Sequence, residues 1–249
     1  MTFKERTIDN ILKGKISVIQ FKNGFRYGFD AVFLAAFVNS FLQSYKKKDA
    51  LLADVGSGVG TISLIIAYKN KKIKLTAIEN NDQYLELAKE NIINNNFKKQ
   101  IKLLNSDVLN INKDLVNTFD IVVSNPPFYK EYKNRSKNEL ENYAKIIMNI
   151  EQWIDSSVKL LKDKGMIFLI ITTEILDLVL YHLRKKTGSF KIFPFWPNSK
   201  NSSKRIILVA RKGGGSPTEL MTGLKLYNKN NLMTKKARLI SEEGIFNYS

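Results

Sequence analysis

From residue 50 onward, short apolar runs alternate with helical patterns, and that alternation limits the fold more than any other feature of the chain. Residues 50–55 read as a strand, 61–68 as a helix, 73–78 as a strand and 82–91 as a helix. Two more strands follow at 101–104 and 119–124. A long helix over about 143–161 carries Ile146, Ile147, Ile150, Trp153, Ile154 and Leu161 on one stripe. The run 165–171 reads as a fully buried strand. A helix from 174 to about 186 and strands at 190–195 and 205–210 complete the pattern. Alternating β and α units imply a mostly parallel, seven-stranded sheet with helices on both faces.

Two segments fall outside this pattern. Residues 1–49 form an N-terminal cap with a helical stretch at 31–38, the core domain spans 50–212, and residues 213–249 are a weakly patterned tail.

Open α/β sheets place ligands at the carboxyl ends of their strands, so the residues there carry the chemistry. After the first strand comes Asp54-Val55-Gly56-Ser57-Gly58-Val59-Gly60, three glycines at alternate positions. Glycines there allow positive φ and close approach of backbone to a ligand. Dinucleotide sites share this arrangement, and the acids separate the two readings. Asp54 would repel a pyrophosphate, whereas a ligand with a sulfonium and an α-ammonium suits it. Glu79 ends the second strand, where it can accept two ribose hydroxyls. Asp107, past the third, can accept an adenine amino group, and equally suits a helix cap.

The fourth strand end carries Asn125-Pro126-Pro127-Phe128. Two prolines forbid the strand from continuing. The Asn125 side-chain oxygen and the Pro126 carbonyl can accept both N–H groups of an exocyclic amine, and Phe128 can stack on its ring. A plain Pro-rich turn fits the same four residues.

The chain has no cysteine and one histidine, which excludes disulfides, thiolate chemistry and a zinc site. His182 lies in a helical segment and reads as structural. No apolar run reaches membrane-spanning length, and the N-terminus lacks a signal-peptide core, so the expected location is cytoplasmic. Lys and Arg number 40 against 23 acids, a net charge of +17 that favours a polyanionic partner. The preference for lysine over arginine, and asparagine runs such as Asn94-Asn95-Asn96, match what an A/T-rich genome would encode. That bias leaves the excess of bases unexplained. Lys130, Lys133, Arg135 and Lys137 form a basic loop with Tyr129 and Tyr132, suited to an RNA backbone or to a solvated loop.

These motifs together resemble the class I S-adenosylmethionine-dependent methyltransferases. Within them, the chain is similar to the tRNA(Val) adenine-N6 methyltransferases over about residues 14–230. Residues 54–60 match the cofactor loop, Ile78-Glu79 the ribose-binding acid, and residues 124–128 the (Asn/Asp)-Pro-Pro-(Phe/Tyr) motif. The segment from Gly24 to Ala35 and the stretch Lys212-Gly213-Gly214 resemble that family more narrowly. Phe29 departs from it, standing where the family has Ser or Thr.

The resemblance implies a Rossmann-like fold, S-adenosylmethionine as cofactor, and methylation of the adenine 3′ of the anticodon. Cofactor contacts are then expected at Asp30, Asp54, Gly56, Ser57, Gly58, Gly60, Glu79, Asn80, Asp107, Val108 and Asn125. Asn125, Pro126, Pro127 and Phe128 would hold the base, and Arg26, Lys130, Lys133, Arg135 and Lys137 the tRNA. A monomer without metal is expected. Two other readings stay open: methylation of a protein glutamine, whose planar amide suits the same motif, and a silent RNA-binding protein on this scaffold.

Overall fold

The computed structural model describes residues 5–23, 26, 28–45, 47, 49–126 and 139–246, with the backbone alone for 139–148. The chain divides into two compact units, residues 1–106 with 235–249, and residues 107–234.

The first unit begins with an antiparallel hairpin, β1 (Arg6–Ile11) and β2 (Ile16–Phe21). Its turn places Leu12, Lys13 and Gly14 at φ 51°, 56° and 78°. The sequence reading found no strand here, because the usual Asn-Gly signal of a tight hairpin is missing. Helix α1 (Phe29–Ser44) is buried continuously from Ala31 to Ser40, which is why its pattern is apolar all round. Then come β3 (Leu51–Val55), α2 (Thr61–Lys69), β4 (Lys74–Glu79), α3 (Asp82–Asn94) and β5 (Ile101–Asn105). Strands β3, β4 and β5 pair in parallel, in that order.

An amide ladder holds the hairpin to α3. Asn91 accepts from Ile19 N–H at 2.7 Å and donates to the Ile19 carbonyl at 2.9 Å. Asn95 does the same for Ser17, at 3.0 and 2.7 Å. The spacings explain the match: four helical residues rise about 6 Å, and two strand residues advance about 6.6 Å. Two side-chain amides thereby stand in for a neighbouring strand along β2.

In the second unit, β6 (Phe119–Ser124) is fully buried. After it come α4 (Glu139–Leu160), β7 (Leu161–Thr172), α5 (Leu176–Arg184), β8 (Thr187–Trp196) and β9 (Arg205–Lys212). β6 runs parallel to β7, while β9 lies antiparallel between β7 and β8. Two-residue strands β10 (Glu219–Leu220) and β11 (Leu224–Lys225) run parallel to β8. All seven expected strands are present among the described residues, three in the first unit and four in the second, mostly parallel with helices between them, and β10 and β11 are two short additions.

The glycines after β9 answer a packing need. A Cβ on Gly188 would lie 2.2 Å from the Gly214 carbonyl oxygen, so only glycine fits at this backbone crossing.

The chain ends in α6 (Lys235–Glu243), which belongs to the first unit. Asn39 of α1 donates to the Gly244 carbonyl at 2.7 Å, and Ser40 Oγ bonds both the N–H and the carbonyl of Phe246. The Phe246 ring packs edge-on against Phe37.

Candidate active site

The loop after β3 is shaped by backbone that only glycine adopts easily: Gly56, Gly58 and Gly60 have φ of 69°, 56° and 85°. Gly56 and Ser57 N–H groups both donate to the Ile78 carbonyl, at 2.9 and 3.0 Å, so β4 anchors the loop. Glu79, at the end of β4, clamps it from the side. Its Oε2 accepts from Gly58 N–H at 2.9 Å, and its Oε1 from the N–H groups of Asn80 and Asn81 at 3.0 Å each. An ionised carboxylate has about four acceptor positions, which leaves capacity for a further donor. The Asn80 side chain is exposed.

Asp54 is wholly buried. Its Oδ2 accepts from the Ser63 N–H at 3.1 Å and from Ser63 Oγ at 2.7 Å, capping the first turn of α2 from beneath. Removal from water pushes its carboxyl up to about 7, against the Ser63 hydrogen bonds, and the nearby charge of Glu79 adds to the rise. Three buried polar atoms around this loop have no partner among the described residues: Asp54 Oδ1, Ser57 Oγ and Thr61 Oγ1. Buried polar atoms are ordinarily satisfied, so this cluster marks a place for a polar ligand. Asp54, Gly56, Ser57, Gly58, Gly60 and Glu79 are therefore together in the first unit. Asp30, also in that unit, lies in the first turn of α1.

Arg26 is engaged with the hairpin. Its guanidinium pairs with Asp9 at 2.6 Å, donates to Thr7 Oγ1 at 2.9 Å and reaches the Phe21 carbonyl at 3.5 Å. Nearby, a cavity of about 390 Å³ is lined by Asp9, Leu12, Arg26, Phe29, Val32 and Glu242, among others. None of its lining residues belongs to the glycine loop.

In the second unit, Asp107 caps a 3-10 turn at Val108–Asn110, accepting from Leu109 N–H at 2.9 Å and from Asn110 Nδ2 at 3.3 Å. Val108 is buried. Asn125 follows β6 directly and is half-buried, and Pro126 is buried. Pro127, Phe128, Lys130, Lys133, Arg135 and Lys137 lie outside the described residues. The strand end before Asn125 is braced by Trp153 of α4, whose Nε1 donates to Ser124 Oγ at 3.2 Å. The sequence reading placed Trp153 only in an apolar stripe. His182 is buried in α5, with Nδ1 at 3.6 Å from Glu151.

A second residue escaped the sequence reading altogether. Besides Ile19, Asn91 Nδ2 donates to the Val59 carbonyl at 3.0 Å, so one buried amide ties the glycine loop to the hairpin. Its only signal in the sequence was a polar residue on the otherwise apolar face of α3.

Among the described residues no group of three or more His, Asp or Glu could hold a metal, and no helix is long and apolar enough to cross a membrane.

Comparison with known proteins agrees with this architecture. The tRNA1(Val) (adenine(37)-N6)-methyltransferase of Histophilus somni strain 129Pt is 25% identical over 213 residues, 79% of this chain and 83% of the relative. The protein of that name from Flavobacterium psychrophilum is 27% identical over 122 residues, 48% of this chain and 52% of the relative. Among solved structures, a predicted O-methyltransferase from Agrobacterium tumefaciens superimposes with a TM-score of 0.71 at 20% identity, covering 88% of this chain and 98% of its own. M. jannaschii TYW2 in complex with AdoMet gives 0.54 at 14% identity, covering 85% and 87%. Both carry the Rossmann-like methyltransferase fold that the resemblance implies, with the mostly parallel sheet that the strand pattern predicts. The methyltransferase small domain family matches residues 35–191, well over half of the chain, and this protein belongs to it.

Proposed function

We propose that this protein methylates the exocyclic N6 of an adenine in tRNA with S-adenosylmethionine, and that the adenine lies 3′ of the anticodon of tRNA(Val). The observation that carries the cofactor is the orphaned cluster of Asp54 Oδ1, Ser57 Oγ and Thr61 Oγ1 around a loop of positive-φ glycines. The cofactor fits that chemistry, bringing ammonium and hydroxyl donors and no phosphate. When bound, it supplies an electrophilic methyl group on a sulfonium.

Each acid then has a task. Asp54 Oδ1 would accept from the ammonium, and the spare acceptor position of Glu79 would take one ribose hydroxyl. Asp107 stays a cap or receives the adenine amino group.

Asn125 and Pro126 act on the substrate. The adenine amine is a poor nucleophile because its lone pair is delocalised into the ring. Acceptance of its two N–H groups by the Asn125 side-chain oxygen and the Pro126 carbonyl favours a pyramidal nitrogen with a free lone pair. No strong general base is required, since the proton becomes acidic only once the nitrogen has been alkylated. The base must be unpaired or flipped from its stack, and Phe128 is the residue proposed to stack on it. The names of the relatives support adenine in tRNA as the substrate. Lys130, Lys133, Arg135 and Lys137 are proposed to track the RNA backbone, with the protein acting as a cytoplasmic monomer.

Nucleoside mass spectrometry of tRNA from a strain lacking the gene tests this reading. Loss of N6-methyladenosine next to the tRNA(Val) anticodon, restored by the gene, is the expected result. Unchanged tRNA with a newly unmethylated protein glutamine would replace the substrate.

A further inference from the structure

We propose that the loops after β8 and β11 form an RNA-backbone track, with Trp196 as a base-stacking platform, on the same edge of the second unit as Asn125. The inference rests on the RNA substrate proposed above and concerns residues that reading leaves unused.

Topology sets the edge. β6 and β7 are parallel, β9 is antiparallel to both β7 and β8, and β11 is parallel to β8. Asn125 after β6, Thr173 after β7, Pro197 after β8 and Leu226 after β11 therefore emerge at one edge. Arg205, at the start of the antiparallel β9, lies there too. At about 4.8 Å per strand, β8 stands roughly 14 Å from β6 and β11 roughly 19 Å. A few nucleotides of single strand span that distance.

The charge at this edge is one-sided. Residues 196–205 and 225–234 contain Lys200, Lys204, Arg205, Lys225 and Lys229, and no Asp or Glu. The acids in the segments that follow the other strands ending here, Glu131 after β6 and Glu174 and Asp177 after β7, lie outside these two loops in the sequence. Four other lysines of the second unit have carboxylate partners: Lys162 with Asp120, Lys185 with Glu151, Lys186 with Asp155 and Lys191 with Glu219. Lys200, Lys204, Lys225 and Lys229 are exposed and have no carboxylate partner among the described residues. Unpaired cations on one edge suit a polyanion.

The loops that carry them are built. Asn198 Oδ1 accepts from Lys200 and Asn201 N–H groups at 2.9 and 3.0 Å. Asn228 Oδ1 closes the other loop on Asn230 and Leu232 N–H groups, at 2.9 and 3.1 Å. Tyr227 N–H donates to the Pro197 carbonyl at 2.9 Å, joining the two. Trp196 sits opposite Lys225, 38% exposed, with its Nε1 fixed on the Thr222 carbonyl at 3.1 Å. An indole held by its edge offers a face to a base, and stacking of this kind is sequence-tolerant.

A second set of lysines makes the comparison testable. Lys71, Lys72, Lys98 and Lys99 precede β4 and β5, at the amino ends of those strands and away from the glycine loop. If charge alone drew RNA to the protein, this set would serve equally.

The experiment measures tRNA binding by anisotropy across a salt series, with methyl transfer and S-adenosylmethionine affinity in parallel. The variants are Lys200→Glu/Lys204→Glu/Lys225→Glu/Lys229→Glu, the matching reversal at 71, 72, 98 and 99, and Trp196→Ala. We expect the first to weaken tRNA about 100-fold and to flatten the log–log salt slope by about 3. Its KM for tRNA rises while cofactor affinity stays within threefold. The amino-end set should change binding less than threefold, and Trp196→Ala should weaken it about tenfold. Lys→Gln variants at the four positions give the same ranking if the reversals unfold.

Parental affinity in the edge variant, with methylation intact, overturns the track and leaves the proposed function standing. Equal losses from both lysine sets overturn it as well, in favour of general attraction. Parental protein that binds tRNA without methylating it overturns the proposed function, and the edge variant's binding alone then decides the track. Binding to phosphatidylserine vesicles but not to tRNA overturns both.

Discussion

In the glycine loop, conformation is written largely in the loop itself: Gly56, Gly58 and Gly60 supply positive φ, Asp54 at the entrance bonds Ser63, and Glu79, 21 residues from Gly58 at the end of the next strand, clamps the loop from the side. In the hairpin β1–β2, the holding groups lie more than seventy residues away, at Asn91 and Asn95. The loop leaves polar atoms unmatched and ready for a ligand, whereas the hairpin's edge is matched bond for bond. Local necessity and unfinished polarity mark a site; long-range completion marks a scaffold.

The largest expected effect sharpens the loop side of this comparison. Asp54 is buried with its carboxyl raised to about 7. A raised folded-state value means that the contribution of this carboxyl to stability is fully present below about pH 4, where folded and unfolded forms both hold the proton. It is then lost as pH rises towards 7, on the order of 4 kcal/mol in all. Affinity for a cationic cofactor runs the other way, rising with pH up to about 7 as the carboxylate forms beside Ser63 and Glu79. Asp54→Asn keeps the Ser63 bonds and should flatten both profiles. Denaturant melts and calorimetry from pH 4.5 to 8.5 check this, and a parent with flat profiles would mean that Asp54 is already ionised.

Next comes the scaffold. Asn91→Ala leaves the Ile19 N–H and the Ile19 and Val59 carbonyls without a buried partner, which should cost about 3 kcal/mol and lower Tm by roughly 10 °C. Asn95→Ala, at a half-buried site, should cost about half as much. If the two variants melt together near the parent, the ladder is ornamental and the contrast between loop and hairpin fails.

The same contrast decides what could be read beforehand. The strand–loop–helix at 51–69 and the acid at 79 were legible because each needs a particular residue type where it stands. The hairpin was not: its turn puts Leu12 and Lys13 at positive φ ahead of Gly14, where glycine or asparagine would be the usual signal. Asn95 looked like genome bias within Asn94-Asn95-Asn96, yet it holds both the N–H and the carbonyl of Ser17. The same bias hid Asn198 and Asn228, which close the two loops beside Trp196. Helix α6 buries only Ala237 and Ile240, too few apolar positions to announce a helix. For Asp107, the cap reading and the ligand reading were both open, and the structure shows the cap in place.

Glu79→Ala tests the loop's outer wall. It removes the acceptor of three backbone N–H groups and the proposed ribose acceptor, and should weaken S-adenosylmethionine about tenfold. Unchanged affinity by calorimetry would move the cofactor elsewhere. The smallest effect belongs to the hairpin's surface: Arg6 pairs with Glu90 at 3.0 Å, both half-exposed. Arg6→Ala should change stability by less than about 0.5 kcal/mol. A larger loss would show that ion pairs share the work assigned to the amide ladder.

The central claim is that Asn125 acts on the target amine and the glycine loop on the cofactor, and single-turnover methyl transfer tests it most directly. Parent and Asn125→Ala are mixed with methyl-labelled S-adenosylmethionine and unmodified tRNA(Val) transcript, and the label is followed into nucleosides. The account predicts N6-methyladenosine from the parent. In the variant it predicts a rate about 100- to 1,000-fold lower, with cofactor affinity within a few-fold. A variant that methylates at the parental rate, or one that loses the cofactor instead, would contradict it.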